Sequence, residues 1–229
     1  MAAYSLVQFT SVLILYSIDS NLTDFQFLYI DLFMISVFAF FFGKTESYDG
    51  PLVKQTPLNS LISLSPVVSL FMHLLVSIGF QVVGWIHLQT MEWFEPFVYD
   101  NTSTSLKDNL ACQQNFTIFI ITCFQYVTLA IVFSKGAPYR KSIFTNTGFL
   151  ISIVANIVFS CYIALYPIDF LIQLFELEMP PDFNFRLVRI DGWKTIAMEL
   201  DWFVYFFYIL ILDLYSLAMA LLILLPQYS

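Results

Sequence analysis

The run FQFLYIDLFMISVFAFFF, Phe25–Phe42, is apolar at almost every position and long enough to cross a bilayer as a helix. Asp31 interrupts it. An ionised carboxylate near the hydrocarbon core costs several kcal/mol at the least, so it persists where it meets a polar pathway, a partner or a ligand. Phe27 lies one turn before it and Asp24 about two turns before, roughly on one helix face. A carboxylate beside an aromatic on a bundle-facing stripe is what a cationic substrate needs. The competing reading is an Asp satisfied by hydrogen bonds between helices.

The rest of the chain has the same character. Of its 229 residues 59% are hydrophobic and 11% charged, and 26 are Phe. Soluble domains carry roughly 25% charged residues. Mean hydropathy is +0.78. The composition predicts an all-α, polytopic bundle of about six membrane helices with no loop long enough to form a soluble core. Cys112, Cys123 and Cys161 are too few for a disulfide framework. The apolar N-terminus has no basic leader, which argues against a cleaved signal peptide.

Six segments have membrane length: Met1–Ile18, Phe25–Phe42, Pro66–Leu88, Phe116–Ser134, Thr147–Tyr166 and Phe203–Leu225. The first is a little short and starts without polar flanks, as a helix cut through its body would. Pro66 suits the first turn of the third. The last connection, Pro167–Trp202, is read as a long loop.

Two signals orient the spans. Lys44, Lys54, Lys135, Arg140 and Lys141 lie in the second and fourth loops, whereas the first and third carry only Lys107. Basic excess marks the cytoplasmic side. The sequons at Asn21, Asn101 and Asn115 begin in the first and third loops, where glycosylation requires a lumenal face. Asn101 is the best acceptor, because the other two sit close to spans. Acidic residues sort to the same outer side, among them Asp19, Asp24, Glu92, Glu95 and Glu178. They would concentrate cations at the mouth of a pathway, or simply solvate the outer loops. Arg186, Arg189 and Lys194, on the expected outside, break the pattern.

Catalytic and metal motifs are absent. There is no phosphate-binding G-x-x-x-x-G-K-[ST] and no H-E-x-x-H. His73 and His87 have no acidic ligand at metal spacing and read as packing or interface residues. No catalytic residue, metal ligand or resident cofactor is expected in this chain, and no nucleic-acid partner.

Four stretches then carry a family resemblance. They are Ala3-Tyr-Ser-Leu-Val-Gln-Phe9, Asn21-Leu-Thr-Asp-Phe-Gln-Phe-Leu-Tyr-Ile-Asp-Leu32, Phe124-Gln-Tyr126, and Ser134-Lys-Gly-Ala-Pro-Tyr-Arg140 followed by Phe144-Thr-Asn146. In order, spacing and membrane context they resemble the type V, subgroup B, P-type ATPases, polyamine-transporting pumps of late endosomes and lysosomes. The resemblance covers residues 1–188 and implies the fifth to tenth membrane helices, the tenth only begun. It implies a C-terminal membrane region starting within the fifth helix. The family's D-K-T-G phosphorylation loop, nucleotide-binding and actuator domains and fourth helix lie outside this sequence. For the intact pump it implies ATP, Mg2+ and a missing N-terminal portion as partner, in a late endosomal or lysosomal membrane.

Carried over by position, the resemblance implies a polyamine site of Tyr4, Gln8, Asp24, Phe27 and Asp31. The chemistry agrees. Carboxylates pair with ammonium groups, an amide oxygen accepts their hydrogens, and aromatic faces add cation–π attraction of roughly 0.5–2 kcal/mol. Tyr4 and Gln8, four residues apart, share a helix face. Alternatively Tyr4 is a packed bundle aromatic and Gln8 an interhelix hydrogen-bonding group. Residues 189–229 resemble nothing in the family and form a separate tail with one hydrophobic span. The expected function is the transport portion of a pump moving spermine- or spermidine-class polyamines from lumen to cytosol. The alternative is a truncated, non-enzymatic membrane protein that pairs with or modulates a full-length pump.

Overall fold

A computed structural model describes residues 2–51, 64–97, 111–134 and 136–190. Its elements are helices: α1 (Ala2–Tyr16), α2 (Asp24–Gly43), α3 (Leu64–Gln89), α4 (Gln113–Val132), α5 (Thr147–Leu165) and the short α6 (Asp169–Phe175). Residues 183–190 are helical again. The described residues contain no strand. Four helices are long and apolar enough to cross a membrane, and α1 is a shorter apolar helix of 15 residues. The molecule is therefore an all-helical membrane bundle. The expected span at Phe203–Leu225 lies outside the described residues.

The helix ends follow from local chemistry. Thr23 and Gln26 form a reciprocal capping box at the start of α2, each side chain bonding the other's backbone N–H. Cys112 caps α4 by accepting from the Asn115 N–H at 3.3 Å. The Asn146 side chain accepts from the Phe149 N–H at 3.1 Å and starts α5. Glu176, in the left-handed region at φ 52°, ends α6. From Tyr29 to Ser36 the backbone of α2 is wound as a π-helix, which apolar periodicity alone does not predict.

α4 forms the centre. Every residue from Gln114 to Ala130 is buried, so this helix is enclosed on all sides. α1, α3, α5 and the π-helical part of α2 pack against it. Lipid is as apolar as Leu, so association rests on close packing and on hydrogen bonds between helices. Gly84 illustrates the first. A Cβ there would run into the Ile121 side chain and lie 3.2 Å from the Arg189 guanidinium. Ile151, Val154 and Val158 of α5 point outward as a lipid-facing surface would.

The connections sort into two ends. At one, the second and fourth loops meet. The Tyr48 N–H donates to the Tyr139 carbonyl at 3.2 Å, and Lys141 bridges Glu46 at 2.7 Å and Asp49 at 2.6 Å. Those two carboxylates, Asp49 foremost, hold the Lys141 ammonium well above the usual lysine range. At the other end, the first loop meets the start of α4 and the end of α6. Gln26 donates to Asn115 Oδ1 at 2.7 Å and to the Phe175 carbonyl at 3.1 Å, and Asn115 donates to the Asn21 carbonyl.

One sequon is drawn into the bundle, and one expectation needs revision. Asn115 is buried with both ends of its amide engaged, so its sequon presents no accessible nitrogen for a glycan. The stretch Pro167–Trp202, read as loop, holds α6 and the helical residues 183–190. The expected boundary after Val188 falls inside that second helix. Arg189 ties it to α3, donating to the Gly84 carbonyl at 3.1 Å and to His87 Nδ1 at 2.8 Å. Its guanidinium also sits 4.3 Å from the Phe185 ring, itself stacked on His87.

Candidate functional site

Along α1, Tyr4 and Gln8 stand one turn apart on a shared face. Gln8 reaches the neighbouring α2. Its Nε2 donates to Asp31 Oδ1 at 3.3 Å, closing a polar contact between two apolar helices. With the amide nitrogen facing the carboxylate, Gln8 Oε1 is turned away from it as an acceptor.

Asp31 lies in the π-helical part of α2 and is exposed. The Ser36 hydroxyl donates to the Asp31 backbone carbonyl at 2.7 Å, within this wide turn. π-helical segments recur at functional sites because they re-aim side chains that a regular helix would stack in register. Here the segment begins two residues before Asp31, so Asp24 and Phe27 keep α-helical spacing while Asp31 is turned relative to them. Asp24 is exposed and Phe27 is half-buried against the core. Neither takes part in the Gln8–Asp31 hydrogen bond.

Tyr4 is half-buried, and its ring packs on Tyr126 of α4 with centroids 5.6 Å apart. The Tyr126 hydroxyl is buried without a hydrogen-bond partner among the described residues. The structure thus joins Gln8 to Asp31 directly and Tyr4 to α4. Phe27 and Asp24 sit one and two turns along the same helix from Asp31. Gln8 is thus an interhelix hydrogen-bonding group, and the bond sets its amide beside a carboxylate. Asn21 is half-buried and its side chain accepts from the Leu22 N–H at 2.8 Å, whereas Asn101 lies outside the described residues.

Sequence reasoning missed a second polar cluster deeper in the bundle. Ser11 of α1, Gln81 of α3, and Thr122 and Gln125 of α4 are all buried and linked by hydrogen bonds. Polar residues three and four positions apart within apolar runs, Ser77 and Gln81 on α3 and Thr122 and Gln125 on α4, were the available signal. Tyr126 was legible only as part of a motif, not as the partner of Tyr4.

Over most of its length the chain is similar to polyamine-transporting ATPase 13A3 of Macaca fascicularis, at 35% identity over 222 residues covering 87% of this chain and 18% of that protein. It is 38% identical over 156 residues to polyamine-transporting ATPase 13A2 of Homo sapiens, covering 67% of this chain and 13% of that protein. It is 37% identical over 158 residues to a vacuolar cation-transporting ATPase of Saccharomyces cerevisiae, covering 69% and 10%. No family model matches the chain. The chain spans less than a fifth of the length of these curated relatives.

Proposed function

We propose that this chain, whose homologues are type V P-type ATPases, is the C-terminal, membrane-embedded transport portion of a polyamine-transporting pump. The observation that carries this is the Gln8–Asp31 hydrogen bond, which places an exposed carboxylate and an amide side by side between α1 and α2. An ammonium group takes the Asp31 carboxylate as counter-ion, and Gln8 Oε1 accepts one of its remaining hydrogens. Tyr4 and Phe27 supply aromatic faces for the same cation. Asp24 stands two turns away, roughly 10 Å along the helix, and takes a second ammonium of the same polyamine. Spaced carboxylates select a chain of several charges over a single metal ion.

Asp31 is exposed on a membrane helix, a costly position unless something other than lipid covers it. In this reading the cover is the N-terminal portion of the pump. That portion also carries ATP, Mg2+ and the phosphorylated aspartate, and no residue of this chain is assigned to them. Transport runs from lumen to cytosol, in a late endosomal or lysosomal membrane. The end where Lys141 meets Glu46 and Asp49 faces the cytosol, and the Gln26–Asn115 end faces the lumen.

Two measurements bear on this. The full chain should lose mass on peptide N-glycosidase treatment, and Asn101→Gln should abolish the shift. Glycosylation at an acceptor engineered beside Lys54 would contradict the orientation. Expressed alone with labelled ATP and Mg2+, the chain should form no phosphoenzyme. An acid-stable label on it would place phosphorylation chemistry here and overturn the division of labour.

A further inference from the structure

The cluster between α1, α3 and α4 has an imbalance of donors and acceptors. Gln81 Nε2 donates to Ser11 Oγ at 2.9 Å and to Gln125 Oε1 at 2.8 Å, which uses both its hydrogens. Gln125 Nε2 donates to the Ser77 carbonyl at 2.8 Å, which fixes the orientation of that amide. With Gln125 Oε1 facing it, the Gln81 nitrogen is fixed in turn. Gln81 Oε1 is therefore an acceptor, and it is buried without a partner among the described residues. The Ser11 and Thr122 hydroxyls have no hydrogen to offer it. Ser11 Oγ lies 3.0 Å from the Val7 carbonyl, Thr122 Oγ1 lies 2.7 Å from the Ile118 carbonyl, and the two hydroxyls lie 2.9 Å apart.

We propose that Gln81 Oε1 holds an internal water molecule, the missing donor of the Ser11–Gln81–Gln125 cluster. A buried acceptor without a donor is disfavoured, and most severely at membrane depth, where no bulk water can reach it. Gln125 Oε1 accepts one hydrogen from Gln81 and keeps a second lone pair, and buried waters make about three hydrogen bonds. A small cation would also satisfy the acceptors, but the cluster residues are all neutral. Burying an uncompensated charge among them costs far more than burying a water. The site sits in the wall between α1 and α4, one turn from Gln8 and adjacent in sequence to Tyr126. It stands whether or not the pump's substrate is a polyamine.

The test is a structure of the intact pump carrying this chain, at a resolution that shows ordered water, in sodium buffer and again in rubidium buffer. A peak at hydrogen-bonding distance from Gln81 Oε1, of equal height in both buffers, is the expected result. A peak that strengthens with rubidium identifies a cation and overturns the proposal. So does a cluster without a peak, or Gln81 Oε1 bonded to a protein donor from elsewhere in the pump.

Discussion

Asp31→Asn, in an intact pump carrying this membrane region, should weaken the response of ATPase turnover to polyamine by more than about a hundredfold. The substitution keeps side-chain shape, and the carbonyl oxygen of the introduced amide still accepts from Gln8 Nε2, so the α1–α2 contact survives. Only the charge is lost. In the proposed function the rest of the pump covers the site and leaves it partly dry, and there a lost ion pair would cost about 3–5 kcal/mol. Gln8→Ala removes a neutral acceptor worth roughly 1 kcal/mol and should shift the response about fivefold. Phe27→Ala, losing a cation–π face and some packing, should fall between. The order Asp31, Phe27, Gln8 separates substrate binding from folding, because the most conservative change has the largest effect. An unchanged polyamine dose-response in Asp31→Asn, at normal expression, would remove this helix from the substrate site.

Gln26→Leu should loosen the outer corner of the bundle without touching the Gln8–Asp31 pair. Gln26 is fully buried and joins the start of α2 to α4 and α6. Its loss strands the Thr23 N–H and Asn115 Oδ1, at roughly 1–3 kcal/mol for each group left unpaired, and leaves the Phe175 carbonyl to the Thr23 hydroxyl at 3.2 Å. Cys112 reports on this corner. Its thiol is buried, lies 3.6 Å from the Ser20 hydroxyl and accepts from Asn115, and burial pushes it above the usual thiol range. A local loss of about 2 kcal/mol multiplies the open population roughly thirtyfold. Alkylation of the Cys112 peptide, followed by mass spectrometry, should accelerate accordingly. An unchanged rate would mean that the outer corner does not depend on Gln26.

What the sequence shows and what it hides divide along physical lines. Asp31 announces itself because one charge in an apolar run is costly wherever it lies, and hydropathy registers that cost directly. The spans containing α2 to α5 follow from length and apolarity for the same reason. The π-helical turn at Tyr29–Ser36 leaves no such trace, since it changes how residues are wound and not which residues they are. α6 and the 183–190 helix escape a reading by pattern because a helix of two turns carries too few apolar positions to show a period. The sequon at Asn115 shows how little a local pattern says about packing. Its pattern fits a glycan acceptor, but the asparagine is recruited into the start of α4, where its amide satisfies Gln26 and the Asn21 carbonyl. Arg189 looks out of place as a basic residue on the outer side. In the bundle it holds a helix to the last turns of α3 through the Gly84 carbonyl and His87.

The central claim is that Asp31 and Gln8 hold an ammonium group of a polyamine between α1 and α2. The most direct measurement is a structure of the intact pump with spermine bound. Elongated density between these helices, with one nitrogen within ion-pair distance of the Asp31 carboxylate and within hydrogen-bonding reach of Gln8 Oε1, is the predicted result. Density at a different place, with Asp31 instead paired to a side chain from another helix of the pump, would contradict it.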